Sequence, residues 1–87
     1  MLFGQGRLVE VELLFSKTAA AWVKDKTWHA SQDLSHLKDG RLKMTLKVAD
    51  TSELVGWILS FASQVRVIRP EVLREKVKEE AEKTFRL

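Results

Sequence analysis

From Arg7 to Phe15 the chain reads RLVEVELLF, with Val9, Val11, Leu13 and Phe15 alternating against Glu10 and Glu12. A period of two places the apolar set on one face of a strand and the glutamates on the other. Ser16 then offers a capping hydroxyl to KTAAAWVKD, a short alanine-rich helix ending near Asp25 or Lys26, from which Trp22 and Val23 are expected to reach the core. Alternation returns on both sides of Asp39-Gly40, in DLSHLK and RLKMTLKVA, where Leu42, Met44, Leu46 and Val48 interleave with Arg41, Lys43, Thr45 and Lys47. An Asp-Gly pair between alternating runs is a strong hairpin signal, so residues 31–49 are predicted to form a β-hairpin. Asp50 and Glu53 have capping-box spacing and open TSELVGWILSFA, whose Leu54, Trp57, Ile58 and Phe61 fall at helical spacing. Val65 to Ile68 reads as a short fourth strand. Pro70 then stands in the first turn of EVLREKVKEEAEKTFR, a charged helix with a narrow seam of Leu73, Val77, Ala81 and Phe85.

The order β-α-β-β-α-β with an additional C-terminal helix predicts an α+β, ferredoxin-like two-layer sandwich. Two helices would cover one sheet face. The other would present Glu10, Glu12, Arg41, Lys43, Thr45, Lys47, Arg66 and Ile68. Residues 1–6, MLFGQG, hold two glycines and no periodicity and read as a linker, leaving 7–87 as the domain. A chain of 87 residues is expected to be one domain, burying roughly 60–65% of its unfolded surface.

The formal net charge of +3 arises before the last helix, where ten Lys and Arg face seven Asp and Glu; the last helix carries five of each. So mild an imbalance permits weak attraction to acidic partners but lacks the dense patch of a dedicated nucleic-acid binder. Without cysteine there is no thiolate chemistry and no zinc-thiolate site. No apolar run approaches the roughly 20 residues that span a bilayer, and the N-terminus lacks a signal-peptide core, so a cytoplasmic location without membrane contact is expected.

The segment that departs from these patterns is TWHASQ, residues 27–32, in a chain with two histidines and three tryptophans. Catalysis by His29 would need a nucleophile or acid within hydrogen-bond reach. On an extended strand Ser31 and Asp33 follow at about 7 Å intervals, too far to make a triad by adjacency. The structural reading is favoured: Trp28 plugs the edge of the core while His29 and Gln32 satisfy backbone groups of the loop. His29 and His36, seven apart, would fall on opposite faces of a continuous strand without further ligands, so neither a metal nor a cofactor is expected. Acylphosphatase, an enzyme on the ferredoxin-like scaffold, uses an arginine and an asparagine, and this chain has no asparagine. RNA recognition on such a sheet needs exposed aromatic rings. Here the open face carries charge, read as cross-strand ion pairs of Glu10 and Glu12 with Arg41, Lys43 and Lys47. The alternative is electrostatic binding of single-stranded nucleic acid by Arg41, Lys43, Lys47, Arg66 and Arg69.

Taken in order, VEVELLF, AAAWV, WHASQ, the DG hairpin, VADTSELVGWILSFA and VRVIRPEVLREKV resemble the C-terminal extension (WCX) domain that follows the WYL domain in bacterial helix-turn-helix regulators. The resemblance runs from about Arg7 to Glu80. It is carried most specifically by Trp28, His29, Ser31, Gln32, Glu53, Leu54, Trp57, Pro70 and Leu73, with Arg74 beside the last. The chain departs from the family pattern at Ala30, where proline usually follows the tryptophan-histidine pair, and at Ala62, where glycine usually follows the phenylalanine. The resemblance implies a non-catalytic domain that aids dimerisation and relays an effector signal. Its partners would be upstream WYL and helix-turn-helix domains, a second copy of itself, and DNA through the full-length regulator. The chain has no tyrosine, hence no WYL tripeptide, and no helix-turn-helix pattern.

Overall fold

A computed structural model describes residues 7–49 and 52–84. Among these, four strands, β1 (Leu8–Phe15), β2 (Asp33–His36), β3 (Leu42–Ala49) and β4 (Val65–Arg69), form one sheet in the order β2-β3-β1-β4. Every neighbouring pair is antiparallel. The helices α1 (Lys17–Val23), α2 (Ser52–Leu59) and α3 (Glu71–Thr84) complete a mixed α+β architecture, with a 3-10 turn at Ala62–Gln64 before β4.

The period-two pattern of β1 and β3 translates directly into burial. Val11, Leu13 and Phe15 pair with Leu46, Met44 and Leu42, and all six are fully buried. Ala19, Ala20 and Val23 from α1, Leu54, Val55 and Ile58 from α2, and Leu73 from α3 close over them. Burying side chains of this size contributes about 1.5–3 kcal/mol each, the main favourable term of the fold. The Asp39-Gly40 signal forms the expected hairpin. Leu37 N–H donates to the Arg41 carbonyl at 2.9 Å, and Gly40 takes φ +95°, a conformation that favours glycine.

Several expectations change. Trp22 is 59% exposed, because a helix of seven residues has one inward face and Ala19, Ala20 and Val23 fill it. α1 also stops at Val23, before Asp25. Pro70 precedes α3, and its carbonyl accepts the first helical hydrogen bond from Arg74 N–H at 3.1 Å, which makes it the cap position. The Arg69-Pro70 peptide is cis. The capping role of Asp50, the linker at 1–6 and the seam position Phe85 lie outside the described residues. Among the described residues, no helix is long and apolar enough to cross a membrane.

Candidate functional site

The TWHASQ segment is a turn-rich loop leading from α1 into β2, and its side chains bind their own backbone. Gln32 Oε1 accepts from Trp28 N–H at 2.6 Å and His29 N–H at 3.2 Å, while its amide nitrogen donates to the Lys26 carbonyl at 3.0 Å. One amide group therefore ties both arms of the loop together. The Trp28 indole N–H donates to the carbonyl of Val23, the last residue of α1, at 3.2 Å. A carbonyl at a helix C-terminus has no partner within the helix, and the indole supplies one.

Ser31 extends the β2-β3 ladder with its side chain. Its hydroxyl accepts from Lys47 N–H at 3.0 Å and donates toward the Lys47 carbonyl at 3.2 Å, two residues beyond the Asp33–Thr45 pair that ends the regular strand. His29 Nδ1 lies 2.8 Å from the same hydroxyl and accepts from Ser31 N–H at 3.1 Å. The separation expected on an extended strand is thus overturned: residues 29–31 curl, and the curl brings imidazole and hydroxyl together. The contact nevertheless has the character of a brace: the hydroxyl accepts from Lys47 N–H, and its one proton is shared between His29 Nδ1 at 2.8 Å and the Lys47 carbonyl at 3.2 Å. His36 stands apart at the end of β2.

Below the loop, Trp28 enters an aromatic cluster. Its ring centroid lies 5.6 Å from Trp57 and 6.0 Å from Phe61, which in turn lies 5.0 Å from the buried Phe15. Tilted and edge-on geometries of this kind contribute about 0.5–1.5 kcal/mol per pair beyond burial. Lys26 Nζ sits 5.3 Å above the Trp28 ring. Of the other signature residues, Leu54 and Leu73 are buried, Trp57 is half-buried and Glu53 is exposed in the first turn of α2. The loop, α2 and β1 thus converge on one cluster. The i, i+4 spacing of Trp57 and Phe61 signals its α2 side in the sequence, whereas the approach of Trp28 has no local signal.

On the uncovered sheet face, register decides which charges meet. Glu10 and Glu12 lie opposite Lys47 and Thr45 on β3, yet both glutamates pair with Arg69 on β4, Glu12 at 3.4 Å. A bulge explains this. The pairing steps from Leu13–Val67 to Glu12–Arg69, so Ile68 is the extra residue and Arg69 turns onto the face that strict alternation would deny it. Arg41 pairs with Asp39 in the hairpin turn at 2.8 Å. Its backbone N–H and guanidinium hold the Asp39 carboxyl below its ordinary value of 3.8. The ion pairs among the described residues leave out Lys43, Lys47 and Arg66, so the cross-strand pairs expected of these lysines are replaced by Arg69.

Two depressions accompany these surfaces. One of about 430 Å³ runs between α2 and α3, with Val55, Gly56 and Leu59 below and Lys76, Glu79 and Glu80 on its rim. The other, of about 380 Å³, lies beside β1 and β4 and includes Leu14, Arg41, Ser63, Gln64 and Arg66.

A family model described as the WCX domain matches residues 7–85. No curated protein matches the chain.

Proposed function

The chain belongs to the WCX domain family, and from that membership we propose that it is the C-terminal regulatory and dimerisation domain of a bacterial WYL-type transcriptional regulator. In this reading it is cytoplasmic, non-catalytic and acts through assembly and the relay of an effector signal. The observation that carries the reading is the use made of the signature residues. Trp28, His29, Ser31 and Gln32 spend their polar groups on the loop and on Lys47, fixing where β2 begins. β2 is an edge strand, and a strand edge with one side unpaired is a natural surface for a partner subunit or a preceding domain.

The ferredoxin-like description belongs to the same proposal. Its support is that β1 and β2 flank β3, that α1 joins β1 to β2 and α2 leads from β3 to β4, and that both helices feed one core.

Light scattering across a wide concentration range tests the assembly role. The expected outcome is a dimer that persists on dilution; a monomer throughout would remove dimerisation from these residues. A second reading, single-stranded nucleic-acid binding on the sheet face, draws on Lys43, Lys47 and Arg66, whose charges no described ion pair neutralises. Titration with oligonucleotides at several salt concentrations tests it, an affinity insensitive to salt counting against it.

A further inference from the structure

Two apolar residues of β1 fall on the uncovered face: Leu8, 67% exposed at the start of the strand, and Leu14, half-buried in the outward position after Glu10 and Glu12. Leu14 lies opposite Lys43 on β3 and opposite Arg66 on β4, so a single row across the sheet reads cation, leucine, cation. Neighbouring strands lie about 4.8 Å apart, which sets the two cationic backbones about 10 Å from each other with the leucine between them. Arg41, two residues before Lys43, stands on the same side.

Of the carboxylates on the face, Asp33 of β2 stands opposite Thr45, diagonal to Lys43, and the others are engaged by arginines. Glu10 and Glu12 are gathered by Arg69, and Asp39 is held by Arg41 in the turn. The two ends of the face thus differ: Glu10, Glu12 and Arg69 form ion pairs at one, whereas at the other Arg41 is paired with Asp39 and Lys43 and Arg66 stand outside the described pairs. At this second end the surface is concave. The depression of about 380 Å³ has Leu14 and Val65 as apolar lining, Arg41 and Arg66 as cationic groups, and Ser63 and Gln64 as hydrogen-bonding groups. That volume falls within the range of small-ligand sites.

We propose that this depression binds a small organic phosphomonoester. A phosphate dianion suits the Arg66 guanidinium within the depression and the Lys43 ammonium in the row beside it, because guanidinium–phosphate hydrogen bonds are charge-assisted and directional. The apolar lining selects an ester over the bare anion: inorganic phosphate would leave Leu14 in water, whereas an attached ring or chain covers it. The site does not rest on the assembly reading, and it differs from strand binding along the whole face because it excludes Lys47 and Arg69.

Isothermal titration of the 87-residue chain with adenosine 5′-monophosphate as probe, alongside adenosine, inorganic phosphate and a 5′-hydroxyl oligothymidylate, tests the proposal. The expected result is saturable binding of the monophosphate, with adenosine and inorganic phosphate each weaker by about tenfold or more. Arg66→Ala and Lys43→Ala should each weaken the monophosphate by about tenfold, while Lys47→Ala leaves it within about twofold. All three positions are on the surface, and an unchanged melting temperature confirms that each variant is folded. Absence of saturable binding up to about 10 mM monophosphate, an affinity weaker than about −3 kcal/mol, would overturn the site. So would an equal loss in Lys47→Ala, or a tighter oligothymidylate complex that depends on Lys47, since either assigns binding to the face as a whole.

Discussion

Two connections return the chain from a helix to the sheet, and they are built on opposite terms. Residues 24–32 leave α1, and residues 60–64 leave α2. Both deliver a ring to the same cluster, Trp28 from the first and Phe61 from the second, 6.0 Å apart. The first is held by side chains: Gln32 across its two arms, Trp28 on the end of α1, Ser31 on β3. The second is held mainly by backbone, with Phe61 N–H on the Ile58 carbonyl and Gln64 N–H on Phe61, and it places Ala62 at φ +53°. An alanine in the left-handed region pays a steric cost that glycine avoids. Ala30 lies in the braced connection and Ala62 in the bent one. Ala30 sits in a loop whose side chains fix its shape. The side-chain bonds of the second connection lie at its ends, Ser60 on the Trp57 carbonyl and Gln64 with Ser16, and Ala62 between them takes the left-handed conformation.

The largest break in this symmetry is expected from Trp28→Ala. It removes the ring contacts with Trp57 and Phe61 and the indole bond to Val23, and should destabilise the domain by about 3 kcal/mol in chemical denaturation. An unchanged midpoint would contradict the placement of the ring. Gln32→Ala leaves the Trp28 and His29 N–H groups and the Lys26 carbonyl to water, at a cost of about 2 kcal/mol, which the same titration reads. On the other side of the comparison, Ala62→Gly should stabilise by about 1 kcal/mol, the relief of the left-handed alanine less the added flexibility of the unfolded glycine. A lower melting temperature for that variant would show that Ala62 is not strained.

The smallest effect concerns the hairpin turn. The Asp39 carboxyl is held below its ordinary value of 3.8 by the Arg41 N–H and guanidinium, so the folded state prefers it ionised. Its contribution is present above that ordinary value and disappears as pH falls through the lowered one. Asp39→Asn should therefore melt slightly below the parent at about pH 7 and together with it at about pH 2. A difference that grew on acidification would reverse the sign of the argument.

What the sequence made legible follows from range. The hairpin around Gly40 and the buried faces of β1 and β3 are properties of period and turn chemistry, read from a few adjacent residues. The cap by Ser16 is equally local: its hydroxyl accepts from Ala19 N–H at 3.1 Å. The bulge at Ile68 is not local, since it exists only relative to β1, and so the partner of Glu10 and Glu12 was assigned to the wrong strand. Trp22 differs from its expected place because Ala19, Ala20 and Val23 fill the inward face of α1 and Trp22 lies off it, 59% exposed. The approach of His29 to Ser31 has no local signal, because residues 29–31 turn where an extended strand is expected.

The central claim is that the signature loop is a brace for the start of β2. Hydrogen exchange of backbone amides in Ser31→Ala tests it most directly, because the Lys47 amide has the Ser31 hydroxyl as its partner in place of a strand. The account predicts faster exchange at Lys47 and in β2 while the amides of the β1-β3 ladder keep their protection. Unaltered exchange at Lys47 would contradict it.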